Sequence, residues 1–277
     1  VPSFAVSIAL LSLLQAALVA LPRPRRFDWL DRFRSPWWAL VPALSIVVVV
    51  GVVALEGESA TALSWLALLA VPPSAALALG WLVRGARPDW VLAVPPLFAL
   101  AWAAPAALVG ETAATALTAL GCVGLGWLLV AVAPAAWLKP GIYAMAAVDT
   151  CLVAAELLQG PNAVLTAAAP AGLPRLQVIH FGDAVMGFGD LFVAATLGCL
   201  LAASRRRQLR AAALVAILAL AFDLLFFALD TLPATVPVAV ALWLVDRGDR
   251  SFRARSDTPG LEQSGDRSQL YRSQRFR

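Results

Sequence analysis

Histidine is nearly absent from this chain, cysteine is scarce and charge is sparse, and each shortage removes a class of chemistry. The single histidine, His180, excludes the paired-histidine zinc motif of membrane metalloproteases. Cys122, Cys151 and Cys199 fall within apolar runs with neither paired nor metal-type spacing. That argues against disulfides and zinc and leaves them as small packing residues. There is no Gly-x-Ser-x-Gly, no phosphate-binding glycine loop and no transporter-like internal repeat. Charged residues make up 14% against 61% hydrophobic, and the mean hydropathy is +0.82, a composition foreign to soluble domains of 277 residues. The net charge of +4 comes from arginine clusters beside apolar segments, where orientation in a membrane explains them better than nucleic acid does.

An apolar helix needs about 20 residues to cross roughly 30 Å of hydrocarbon. By that measure an all-α polytopic membrane protein with nine spans is expected, at approximately 3–21, 37–55, 61–83, 90–110, 115–137, 141–159, 182–203, 211–229 and 231–246. The first lacks a basic n-region and a convincing cleavage site, so it reads as a retained helix. The last is short and opens near Pro233 and Pro237, which predicts a broken or tilted helix. Residues 1–246 thus form a transmembrane domain, with helices one to five at 1–137 and helices six to nine at 141–246. Residues 247–277, rich in arginine, serine, aspartate, glycine and glutamine, are expected to be a disordered cytoplasmic tail.

Arginine and lysine concentrate in cytoplasmic loops. Here Arg23, Arg25, Arg26, Arg32 and Arg34 follow helix one, Arg84 and Arg87 follow helix three, Lys139 follows helix five, and Arg205, Arg206, Arg207 and Arg210 follow helix seven. With the eight arginines of the tail, 20 of the 21 basic residues share a side, and Arg175 is the exception. Nine spans with the N-terminus outside and the C-terminus cytoplasmic satisfy that pattern, in an integral protein expected in a bacterial plasma membrane. Trp37, Trp38, Trp90, Trp137 and Trp243 sit near helix ends as interfacial anchors.

Ionisable residues inside apolar spans are functional candidates. A rise of about 1.5 Å per residue, measured from the nearest cytoplasmic basic residue, puts Asp149 roughly 15 Å deep, Asp190 roughly 22 Å, Asp223 roughly 19 Å and Glu156 roughly 25 Å. Tilt can bring the first two level. Asp183, at roughly 33 Å, falls at the outer interface as a helix-start residue. Asp149 and Glu156 are seven residues apart and share a helix face. Either two of these acids share one proton and activate water, or the four form a proton relay.

Three features resemble the presenilin and signal peptide peptidase group of GxGD intramembrane aspartyl proteases. Gly187-Phe188-Gly189-Asp190 matches the group's GxGD motif on its seventh helix. Asp149 lies 41 residues earlier, on the sixth helix, where the group carries its other catalytic aspartate. Leu232-Pro233-Ala234-Thr235-Val236-Pro237 opens the ninth helix and looks like the Pro-Ala-Leu segment. The resemblance covers roughly residues 140 to 246, and the outside N-terminus is similar to the signal peptide peptidase branch. Two departures stand out. Val148 precedes Asp149 where the group usually has tyrosine, and Thr235 replaces leucine.

The resemblance implies an intramembrane aspartic endopeptidase with Asp149 and Asp190 catalytic and with Gly187, Phe188, Gly189, Pro233, Ala234 and Thr235 around the substrate. Glu156 and Asp223 remain as auxiliary acids. The implied partners are a transmembrane peptide or signal-peptide remnant and the membrane lipid, with no nucleic acid, metal or organic cofactor. Two close aspartates in low dielectric do not both ionise, so one donates and the other accepts a proton. Glycines at 187 and 189 leave room for an extended substrate strand, and prolines at 233 and 237 leave irregular backbone that could hold it. Two other readings stay open. One is a prepilin-peptidase-like aspartyl protease, although Leu191 follows the motif where that family continues with lysine. The other is a non-proteolytic protein, either a proton-coupled carrier using the acids as a relay or an inactive protease relative.

Overall fold

The computed structural model describes residues 2–40, 58–157, 164, 167–168, 172–227, 229 and 231–256. The chain is mostly helical. Its elements are α1 (Phe4–Ala20), α2 (Glu58–Leu77), α3 (Val94–Ala103), α4 (Leu108–Val132), α5 (Ala135–Ala154), β1 (Val178–Phe181), β2 (Ala184–Gly187), α6 (Phe188–Leu201), α7 (Arg205–Asp223) and α8 (Val236–Ser256). Three stretches, Ala60–Leu82, Leu108–Val132 and Arg205–Phe227, are long and apolar enough to cross a membrane. Phe4–Ala20, Pro88–Ala103 and Phe188–Leu201 are apolar but shorter. The second expected segment, 37–55, lies largely outside the described residues, as do Glu56 and residues 257–277. The five tryptophans read as interfacial anchors are all exposed.

α4 is the centre of the packing and touches α2, α3, α6 and β1, while α1 packs on α6 and α7. Small residues make this closeness possible. A Cβ at Gly124 would run into the Ser74 carbonyl of α2, and one at Gly126 would lie 3.0 Å from the Thr196 nitrogen of α6. In lipid, where apolar side chains gain little by leaving their surroundings, such close backbone approach supplies the association energy. Val71, Ala75, Val94, Leu117 and Leu176 form a buried cluster on one side of α4. At the opposite end the buried Gln208 amide donates to the carbonyls of Pro22 (2.8 Å) and Gly198 (3.1 Å). Its oxygen accepts from Arg84 (2.9 Å) and Arg205 (3.0 Å), so one side chain ties α6 and α7 to the chain just after α1 and just after the Ala60–Leu82 stretch.

Helix boundaries differ from expectation by several residues, as at Leu108–Val132 against 115–137, and three of the differences bear on the candidate site. α5 starts at Ala135, directly after Pro134, so Lys139 lies within it rather than ahead of it. The seventh expected span does not begin at 182. An antiparallel hairpin comes first, pairing Val178 with Gly187 and Phe181 with Ala184. Its two-residue loop, Gly182-Asp183, has Gly182 at φ +58°, which the first position of a primed hairpin turn demands. Asp183 is therefore a turn residue and not a helix start. The ninth helix opens at Val236 because Pro233 precedes it and Pro237, lacking an N–H, fits only its first turn. It continues to Ser256, past the expected limit of 246.

The chain divides into two compact units, Val1–Leu242 and Trp243–Arg277. In the second, the Arg247 guanidinium lies 4.9 Å above the Trp243 ring. Every residue of the candidate site belongs to the first.

The hairpin carries the single histidine. The Gly182 N–H donates to Glu111 Oε2 at 2.9 Å, fastening the turn to the start of α4. His180 is partly buried outside the helices, and its Nε2 has no hydrogen-bond partner. Burial holds its ring below the ordinary value of 6.5, Arg175 pushes the same way, and Glu111 opposes them. The unfolded chain then binds the extra proton first as pH falls. Stability is complete above 6.5 and declines as pH drops toward the lowered folded-state value. Thermal melts of the detergent-solubilised protein should show this decline, and His180→Leu should flatten it. An unchanged slope in that variant would contradict the assignment.

Candidate active site

Asp190 occupies the third position of α6, with Gly187 as the residue before the helix. Its Oδ2 accepts the Gly187 N–H at 3.1 Å. This is half of a capping box, since glycine has no side chain to return the bond, and it places a carboxylate at the positive end of the helix dipole. A Cβ at 187 would lie 3.1 Å from Asp190 Oδ2, close enough that the carboxylate would have to shift by a few tenths of an ångström. The motif therefore turns the chain from strand to helix and fixes where its carboxylate points.

Asp149 lies in the last third of α5. Its Oδ2 accepts the Thr235 hydroxyl at 2.6 Å and, more loosely, the Thr235 N–H at 3.4 Å. Thr235 is buried, and its carbonyl accepts the N–H of Ala239, the first turn of α8. The start of α6 meets the same segment through Gln15 of α1, whose amide reaches both the Asp190 and the Ala234 carbonyls. The Cys122 thiol of α4 lies against that helix start, donating to the Phe188 carbonyl at 3.9 Å. Beside the pair, Leu138, Ile142 and Met145 of α5 and Phe192 and Val193 of α6 line a small apolar cleft.

The remaining expected site residues divide. Pro233 is buried and Ala234 half-buried in the segment leading to α8, next to Asp149 through Thr235. Gly189 faces α5, where a Cβ would make ordinary contact with Met145 at 3.6 Å. Phe188 differs from expectation. Its ring packs against the Val71, Ala75 and Leu117 cluster and stacks on Phe192 at 6.3 Å, so it anchors the motif in the core. Glu156 lies in an exposed turn after α5 at φ +56°, because the helix ends at Ala154 and the shared face with Asp149 ends with it. Asp223 closes α7 and accepts the Ser12 hydroxyl of α1 at 2.8 Å. Of these two acids, Glu156 leaves the helix face it was expected to share with Asp149.

One residue of the site escaped the sequence reading. Gln15 of α1 is fully buried, and its amide donates to the Ala234 carbonyl at 2.9 Å and the Asp190 carbonyl at 3.3 Å. It straps the GxGD helix to the proline segment. Its signal was a lone amide in an otherwise apolar helix, where a polar side chain persists only with a partner. Gln15→Leu strands two carbonyls and should cost about 2 kcal/mol, given roughly 1–3 kcal/mol for a buried polar group left unpaired. Detergent-phase thermal unfolding measures it. A variant that melts with the wild type would show that the strap carries no load.

Comparison of the chain with known protein families, curated proteins and solved structures finds no match.

Proposed function

We propose that this protein is an intramembrane aspartyl protease whose Asp149/Asp190 pair hydrolyses peptide bonds of single-span segments or signal-peptide remnants. The proposed architecture is nine spans with the N-terminus outside and the C-terminus cytoplasmic. The observation that carries the reading is that Asp149 of α5 and the Asp190 turn of α6 both meet the segment containing Pro233, Ala234 and Thr235, the first through the Thr235 hydroxyl and the second through the Gln15 amide.

The chemistry follows from the pair sharing one proton. The ionised carboxylate takes a proton from water as the water oxygen bonds to the peptide carbon. The protonated carboxyl gives its proton to the carbonyl oxygen, producing a gem-diol. In collapse, the first acid protonates the departing nitrogen, the C–N bond breaks, and a hydroxyl proton of the diol returns to the second. Both acids end as they began.

The test is the full chain reconstituted in liposomes with a single-span peptide, its products read by mass spectrometry. New termini within the apolar segment are expected, and none with Asp149→Ala or Asp190→Ala. Undiminished cleavage in either variant, or an intact peptide with the wild type, would refute the proposal.

A further inference from the structure

Nothing in two aspartates on neighbouring helices says which one starts with the proton, yet the surroundings of this pair are unequal. Asp149 Oδ2 accepts a hydroxyl at 2.6 Å, a length characteristic of a charge-assisted O–H···O⁻ bond, and a backbone N–H at 3.4 Å from the same residue. Asp190 Oδ2 accepts one backbone N–H at 3.1 Å. Donors aimed at a carboxylate favour its charged form, and a short hydroxyl bond does so more than a longer amide bond. Thr235 is also the position at which this chain departs from Pro-Ala-Leu, and leucine has no proton to give.

We propose that Thr235 is the positioning residue of the pair: its hydroxyl holds Asp149 as the proton acceptor, which leaves the shared proton on Asp190 as the donor. This rests on the protease reading. Three features explain why the hydroxyl is effective. Thr235 is 1% exposed, so water does not compete for Asp149. Its backbone is fixed by the Ala239 N–H on its own carbonyl and, one residue earlier, by Gln15 on the Ala234 carbonyl. The β-branched side chain is stiff about χ1, so the hydroxyl direction follows from the backbone. The hydrogen-bond partners of the two carboxylates are thus Thr235 for Asp149 and the Gly187 N–H for Asp190.

Thr235→Val keeps the shape and the backbone N–H and removes only the hydroxyl. Its kcat should fall at least about tenfold with KM changed by less than about twofold, as expected of a group acting in the chemical step. The acid limb of its pH–rate profile should move to higher pH, and Thr235→Ser should restore both. A Thr235→Val enzyme with wild-type kcat and pH profile, or a Thr235→Ser enzyme as impaired as the valine variant, overturns the proposal while the protease reading stands. A wild type that cleaves nothing overturns both. Infrared difference spectra give an answer independent of turnover: the protonated-carboxyl band should vanish in Asp190→Asn and persist in Asp149→Asn. The reverse pattern also overturns the assignment.

Discussion

Asp149→Asn, Asp190→Asn and the double variant should all slow peptide cleavage by about the same factor, on the order of 10³ or more. Asparagine preserves size and can still accept from Thr235 or Gly187, so the fold-supporting bonds at 2.6 and 3.1 Å need not break. What disappears is the shared proton. With one carboxamide, the remaining aspartate has no partner with which to exchange, and the step needs an acceptor and a donor together. Residues that act as one unit give strongly non-additive losses. Independent contributions would instead multiply, which is the pattern a relay of separate acids predicts. Rates for the four proteins on one peptide distinguish the cases, and a double variant slowed by the product of the two single losses would exclude a dyad.

Much of the site was legible because buried charge is rare in apolar sequence. Asp149 and Asp190 stand out as acids inside apolar segments and the Pro233 segment through the family resemblance; Asp149 accepts from Thr235, and Gln15 joins the Asp190 and Ala234 carbonyls. Glu156 was misjudged because heptad spacing was carried past the helix end at Ala154. Asp223 passed the depth criterion, but depth cannot say which neighbour a side chain meets, and Ser12 is 211 residues away in sequence. Among the described residues, every expected segment but 37–55, which lies largely outside them, contains an α-helix, and starts next to Pro134, Gly187 and Pro237 differ from expectation.

The hairpin was readable and overlooked. Val178 and Ile179 are β-branched, and Gly182-Asp183 between apolar residues is a strong two-residue turn signal. Hydropathy counting merged its second strand with the helix that follows. The correction changes the chemistry of the motif, since Asp190 becomes the first-turn acid of α6 and not a mid-helix residue. An acid there is fixed by backbone amides, while one in mid-helix depends on side-chain partners alone.

Gly198→Ala should destabilise the first unit strongly and damage the candidate site with it. The added Cβ would sit 2.6 Å from the Leu18 carbonyl oxygen and 2.7 Å from that of Val19, with Val19 Cα at 2.8 Å. All three are backbone atoms, so no rotamer change relieves the clash and α1 must move away from α6. Overpacking typically costs roughly 1–3 kcal/mol, and a backbone clash belongs at the upper end. Separation also draws the Gly198 carbonyl from Gln208. Gln15 lies one turn before Leu18 and Val19 on the same helix, so displacing α1 pulls its amide from the Ala234 and Asp190 carbonyls. The loss of stability and the loss of cleavage should therefore appear together. Gly248→Ala is the control, because a Cβ there meets nothing within 4 Å and alanine is the better helix former by about 1 kcal/mol. Thermal unfolding and peptide cleavage of both variants in one detergent test the coupling. A Gly198→Ala protein that melts lower yet cleaves at the wild-type rate would show that α1 does not support the pair.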